Sequence, residues 1–238
     1  EYRQSIPTLY PNVVDWRNYL EVFENKDLLL GQLFYNTVLV GVVSTALSLV
    51  ITVLSAFAFA RLEFKGKNAL FAALLATMMI PGEVTIIPRF MIFHKIGLYN
   101  NLMSIILPHW FAPSAIFMLR QFYMGLPTDL MEAAKIDGAG HPRIFAQVMM
   151  PLTKTALVSQ CVLLFVSTWN EYLSPLIFLA NQKLYTAALV VKYQVFEEGS
   201  STSQLMAASA SAIVPTVIIF MLCQRYFVEG IATSGVKG

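Results

Sequence analysis

This 238-residue chain has few charges: Asp, Glu, Lys and Arg make up 13% of it, and 57% is hydrophobic. A soluble domain carries about 25% charged residues, so this balance places the chain in the membrane class. The formal net charge is only +2, and no run of basic residues marks an electrostatic footprint, which argues against a nucleic-acid partner. Cysteine is nearly absent: Cys161 and Cys223 both fall in apolar stretches, and two such residues make no disulfide framework. The three histidines, His94, His109 and His141, lack metal-ligand spacing with one another or with carboxylates. There is no Gly-rich phosphate loop ending in Lys-Ser or Lys-Thr, so ATP, if it is used, must be bound by another chain. No paired nucleophile and base is visible, and internal repeats and low-complexity linkers are missing too.

What is present is apolar sequence in long runs. A membrane-spanning helix needs about 20 predominantly apolar residues. Leu28 to Ala60, Ile96 to Leu119 and Gly199 to Gln224 contain no Asp, Glu, Lys or Arg. Asn68 to Ile87 is interrupted by Glu83, and Thr155 to Ala180 by Glu171, charges that must lie near an interface, in a cavity or against a partner. The expected fold is therefore an all-α bundle with five spans in a single membrane domain covering residues 1–238. Lys and Arg cluster in the connection holding Arg61, Lys65 and Lys67 and in the polar insert holding Arg120, Lys135, Arg143 and Lys154, which reads as cytoplasmic, but Arg3, Arg17, Lys26, Arg89, Lys95, Lys183 and Lys192 are spread over the other side, so the count alone orients the chain weakly.

The polar insert is the most informative stretch. Leu126-Pro127-Thr128 closes the third span, and Asp129 with Glu132 predicts a capping-box-like helix start. Gly138-Ala139-Gly140 supplies a permissive stop, and Pro142 suits the start of a second helix with an apolar stripe of Ile144, Phe145, Val148 and Met149. Pro151 ends that stripe. Two short helices around a glycine turn suit docking to a soluble partner better than they suit chemistry.

Glu132-Ala133-Ala134, three residues, Gly138, nine residues, Val148, one residue, Met150-Pro151 resembles the cytoplasmic signature of the membrane subunits of binding-protein-dependent ATP-binding-cassette (ABC) importers, with Val148 for Ile and Met150 for Leu. The resemblance extends to Pro81, Pro88, Gly97-Leu98-Tyr99-Asn100-Asn101, Leu107-Pro108, Phe117-Met118-Leu119-Arg120, Trp169-Asn170-Glu171, Arg225-Tyr226-Phe227-Val228-Glu229-Gly230 and Val236-Lys237-Gly238. Together these look like the carbohydrate-uptake branch, which includes maltose, multiple-sugar and glycerol-3-phosphate importers, and within it the second membrane subunit, the maltose-type G component.

The resemblance implies a type I importer permease fold in the bacterial inner membrane. It implies six spans in the full protein, an external segment over 1–30, a cytoplasmic coupling loop over 126–153, an external loop over 181–204 and a cytoplasmic tail over 228–238. It also predicts that this sequence lacks an N-terminal tail and one helix. The implied partners are a homologous permease forming a heterodimer, two ATP-binding subunits that bind ATP and Mg, an extracytoplasmic solute-binding protein and the lipid bilayer. Coupling to the ATPase would fall on Glu132, Ala133, Ala134, Asp137, Gly138 and Pro151. In the maltose-type arrangement the 181–204 loop helps dislodge the sugar from the binding protein, and the tail reaches toward the ATPase dimer interface.

Trp169, Asn170 and Glu171 are the candidate substrate lining, since an aromatic face stacks on a sugar ring while amide and carboxylate bond its hydroxyls. Against that stands a structural reading, with Trp169 in an interfacial aromatic belt and Glu171 in a helix contact. Glu83 and Arg89, flanking the Pro81 and Pro88 break, read as a helix end at headgroup depth. Ala207 to Ala212, with Ser209 and Ser211, reads as close helix packing. The alternative function, a self-contained secondary transporter or channel, would need inverted repeats or buried coupling carboxylates in paired helices.

Overall fold

The computed structural model describes residues 16–24, 29–189 and 202–235, the side chains of 202 and 225–235 excepted. The parts of the 1–30 segment and the 181–204 loop that fall at 1–15, 25–28 and 190–201 lie outside the described residues, as do the side chains of the 228–238 tail and its last three residues.

Uncharged sequence sets the frame. The first long apolar run becomes α2 (Leu30–Arg61), a single helix of 32 residues. The last becomes α12 (Thr202–Gly235), with Pro215 inside it. At about 1.5 Å per residue α2 is near 48 Å long, more than the roughly 30 Å of a bilayer's hydrocarbon core. A short amphipathic helix, α1 (Arg17–Glu24), precedes α2 and packs against α12.

The second apolar run does not form one rod. α3 (Lys67–Thr77) stops short of Pro81, and after a 3-10 turn at Gly82–Thr85 the chain continues as α4 (Ile86–Lys95), bent by 90° from α3. Proline cannot donate the helical N–H, and the chain breaks at Pro81, while Pro88 sits in the first turn of α4, where a missing N–H is tolerated. The third run is likewise divided, into α5 (Met103–His109) and α6 (Pro113–Met124). After the insert, α10 (Lys154–Trp169) lies at 80° to the helical stretch His141–Leu152, and α11 (Leu173–Phe178) follows. By length and composition two helices, α2 and α12, can each cross a membrane, and up to four crossings result if each bent pair is one span. Among the described residues this count falls short of the five expected spans, because the second and third apolar runs are divided into shorter helices.

α2 is the centre of the bundle, packed on α6 and α10, while α10 packs on α12. Two apolar clusters build the core. One, at the α11 end, joins Leu30, Leu33 and Val40 of α2 to Ile105, Phe178, Leu189, Ala207 and Ala208. The other, at the α7 end, joins Val53, Ala56 and Phe57 of α2 to Ile116, Leu119, Tyr123, Met131, Ile144 and Met149. Between Val40 and Val53 the buried residues of α2 are Gly41, Ser44, Thr45, Ser48 and Thr52, so a polar band separates the clusters. Gly41 is required by a close approach: a Cβ there would sit 2.9 Å from the Phe165 ring.

Buried polar groups tie the connections to this core. Asn36 donates to the carbonyls of Lys183 and Tyr185 at 2.8 and 2.9 Å, and Thr37 accepts from the Ala187 N–H at 2.7 Å. The Asn100 side chain accepts from the Ala180 and Asn181 N–H groups at 3.0 and 2.8 Å. The run Ala207 to Ala212 packs closely as its small side chains allow, with Ala207 and Ala208 buried.

Candidate functional site

The polar insert folds as two short helical stretches around a glycine turn. The first is α7 (Asp129–Ile136). No capping box forms at its start: Thr128 already has helical backbone angles, and no side chain caps the first turn. Asp129 and Glu132 therefore act only through their charge in the first turn, where the helix dipole favours anions. The stop follows the glycine signal closely. Gly138 takes φ +80, its N–H donates to the Lys135 carbonyl at 3.0 Å, and the Ala139 N–H reaches back to the Ala134 carbonyl at 2.9 Å. This pair of bonds is a Schellman ending, and it needs the left-handed residue that glycine supplies without strain.

The return stretch begins as α8 (His141–Ile144), with Pro142 in its first turn, passes through a π turn at Phe145–Met149 and ends as α9 (Met150–Leu152). The widened turn sits directly before Pro151, where a regular α turn would press the proline ring on the carbonyl four residues back. Ile144 and Met149 are fully buried and Phe145 and Val148 partly so, which makes the expected stripe the seat of the insert on the bundle. α7 contributes one anchor, Met131, at 6% exposure.

The rest of α7 faces away. Glu132, Ala133, Asp137 and Gly138 are exposed, Ala134 half-buried and Pro151 exposed. The Glu132 carboxylate has no partner among the described residues. Ile136 is 86% exposed and Leu130 45%, so the free face carries two large apolar side chains beside an unpaired anion and a small-residue step. Covering Ile136 alone would be worth roughly 1.5–3 kcal/mol. Two arginines tie α2 to α6 beside this insert, and one of them reaches it: Arg61 Nη2 donates to the carbonyls of Tyr123 and Leu126, the latter at 2.6 Å, while Arg120 Nε donates to the Phe59 carbonyl at 3.2 Å.

The three candidate lining residues lie at the far end of α10. Trp169 is buried at 3% exposure, packs on Phe34 and Phe165, and donates its indole N–H to the Ala212 carbonyl at 3.0 Å. Its ring thus joins α10 to α12. Asn170 is exposed and donates to the Val166 carbonyl at 3.0 Å, capping α10. Glu171 accepts from the Ser174 N–H at 2.9 Å, while Arg89 donates to the Ser174 hydroxyl at 2.7 Å. With exposed Glu83 these groups line a cavity of about 230 Å3.

Sequence reasoning passed over the hydroxyl band on α2. Elsewhere in the bundle Thr37, Thr153, Thr168 and Ser211 each donate to the carbonyl four residues back, at 2.7, 2.9, 3.0 and 2.8 Å. Ser44, Thr45, Ser48 and Thr52 are as deeply buried, yet their hydroxyls have no protein partner. An unpaired buried hydroxyl costs roughly 1–3 kcal/mol on mutational evidence. The readable signal was the four-residue spacing of positions 44, 48 and 52, which puts three hydroxyls on one helical face.

A bent, broken-helix bundle with apolar helices long enough to cross a bilayer defines a membrane protein, and its polar arm is braced to one end. The chain belongs to the family described as binding-protein-dependent transport system inner membrane component, whose model matches residues 48–233. It is 35% identical to the arabinooligosaccharides transport system permease protein AraQ of Halalkalibacterium halodurans, over 99% of this chain and 85% of that protein. It is 32% identical to the sn-glycerol-3-phosphate transport system permease protein UgpE of Yersinia pestis biovar Antiqua, over 97% of this chain and 84% of the relative. Its fold matches a crystal structure of a bacterial ABC transporter involved in import of the acidic polysaccharide alginate, with a TM-score of 0.82, 22% identity, and coverage of 94% of this chain and 84% of that one. The chain is thus an inner-membrane ABC permease subunit with the type I importer fold.

Proposed function

We propose that this permease carries an oligosaccharide or related polyol across the membrane as one half of a heterodimer with a homologous permease. An extracytoplasmic binding protein delivers the solute, and two ATP-binding subunits, which hold ATP and Mg, drive the cycle. The insert of residues 126–153 faces the cytoplasm and seats in a cleft on one ATPase subunit. The 181–204 loop lies on the opposite face, toward the binding protein.

The observation that carries this reading is the division of labour within α7. Met131 anchors the helix to the bundle, while Glu132, Ala133 and Ile136 stand free of it. A free apolar side chain at 86% exposure beside an unpaired carboxylate is a surface built to be covered. Ala133 and Ala134 permit close approach of that cover. The sugar class is supported by the relatives, which are named for the transport of arabinooligosaccharides and of sn-glycerol-3-phosphate, both polyhydroxylated.

Affinity purification of this chain from its native membrane tests the assembly. A soluble nucleotide-binding subunit and a second permease should copurify, and the reconstituted complex should take up arabinotriose only with hydrolysable ATP and binding protein. Uptake by this polypeptide alone, driven by an ion gradient, would contradict the reading.

A further inference from the structure

We infer that this subunit itself holds a binding site for a neutral polyhydroxylated solute, in the crevice between α2, the α5–α6 junction and α10. The inference rests on the permease reading above and places a solute contact in this chain. The crevice is a cavity of about 270 Å3, near the lower end of small-molecule sites at roughly 300 Å3. Ser44, Thr45 and Ser48 line it at 0, 5 and 1% exposure, and their hydroxyls find no partner in the protein. Back-bonding to the helix was open to them, as it was to Thr37 and Thr168, so these donors and acceptors are left unused just behind the cavity surface, where a ligand must draw them out by side-chain rotation.

The facing wall has matching chemistry. Gln160 on α10, at 7% exposure, brings an amide with both donor and acceptor. Across the mouth, His109 holds Nδ1 at 2.8 Å from the Ile105 carbonyl, so that nitrogen carries the proton and Nε2 of the neutral ring is left as an acceptor. Phe111, half exposed at the rim, offers a flat apolar face for the C–H face of a sugar ring. No Asp, Glu, Lys or Arg lines the cavity, which suits a neutral solute and leaves a charged one without a counter-ion.

Position agrees with chemistry. Ser44 to Ser48 lie about 20 to 27 Å from either end of α2, hence near the middle of the bilayer, where transporters commonly place their solute sites. The cavity shares Pro108 and His109 with the one lined by Glu83, Arg89 and Glu171, so the two adjoin along the subunit.

The test alkylates a single reporter. Ser48→Cys, close to the native side chain in size, is built into the assembled importer, and its reaction with N-ethylmaleimide is followed by mass spectrometry at residue 48, with native Cys161 as internal reference. Arabinotriose and maltotriose at saturation should slow reaction at residue 48 at least fivefold, leave Cys161 unchanged, and lose this protection when Gln160→Leu is added. sn-Glycerol-3-phosphate should give less than twofold protection. An inert residue 48, equal rates with and without the neutral sugars, or protection by the phosphate alone would overturn the inference. None of these readouts requires ATP, so the site stands or falls separately from the ATPase coupling. In uptake assays Gln160→Leu should lower sugar moved per ATP at least tenfold while binding-protein-stimulated hydrolysis stays within twofold; hydrolysis lost in parallel would assign Gln160 to structure instead.

Discussion

Arg61 and Arg120 are exchanged between neighbouring helices: each sits on one of the pair α2 and α6 and donates to backbone carbonyls at the end of the other. Arg61 binds the carbonyls of Tyr123 and Leu126, and Arg120 binds that of Phe59 while its guanidinium lies 4.0 Å from the centroid of the Phe71 ring. The carbonyls at a helix end have no intrahelical donor, and a planar guanidinium can serve two at once. Since Leu126 is the first residue of the insert, this clasp joins the arm to the central helix of the bundle.

Removing either arginine should loosen that joint. Arg61→Ala leaves the Leu126 carbonyl unserved, while that of Tyr123 keeps a backbone donor, the Leu126 N–H at 3.3 Å; the loss is about 1.5–3 kcal/mol per charge-assisted bond, discounted because the side chain is only partly buried. A fall in thermal stability of the purified complex, together with more ATP hydrolysed per solute moved, is expected. The double variant Arg61→Ala/Arg120→Ala should be less damaged than the sum of the two, as neighbours in one network are. Strict additivity would separate the two arginines.

Gly138 has open space around it, so a substitution there tests backbone conformation alone. At φ +80 an Ala costs about 1–2 kcal/mol, an Asn less, and a β-branched Val more. ATP-driven uptake should fall in the order Gly, Asn, Ala, Val while the amount of chain in the membrane stays constant. An Asn variant no better than Val would argue against a left-handed turn at this point.

Gly41 predicts a different pattern, because its neighbour is a side chain. Gly41→Val should cost about 1–3 kcal/mol by pressing on the Phe165 ring, and Phe165→Ala should relieve most of the strain when combined with it. The check is the melting temperature of the four variants; absence of rescue would place the clash elsewhere.

Asn36 is 2% exposed and holds two carbonyls of the 181–189 connection. Asn36→Leu keeps the branched shape and removes both of these hydrogen bonds, at about 0.5–1.5 kcal/mol each. Limited proteolysis near exposed Lys183 should accelerate severalfold. An unchanged cleavage rate would mean the connection is held by its other contacts.

Much of this was readable in the residues. The run from Leu28 to Ala60 announced α2, and the spacing from Glu132 to Pro151 announced the arm, because a glycine at φ +80 and an apolar stripe leave local signatures. The break between α3 and α4 was signalled by Pro81 and Pro88, but its 90° angle depends on tertiary packing. Trp169 was legible only as a polar-capable aromatic; that its indole would find the Ala212 carbonyl, 43 residues away, is a long-range fact. The capping box at Asp129 failed because the chain enters α7 already helical at Thr128. The hydroxyl band escaped notice because Ser and Thr in an apolar run normally satisfy themselves, and only the structure shows that these four do not.

We propose that the ATPase subunit covers the free face of α7. Ile136→Cys, paired with single cysteines placed around the cleft of that subunit, measures it directly. At 86% exposure in this chain alone, residue 136 should form a crosslink in the assembled importer and lose most of its reactivity to a soluble maleimide. Full maleimide reactivity in the intact, ATP-hydrolysing complex, with no crosslink from any cleft position, would contradict the account.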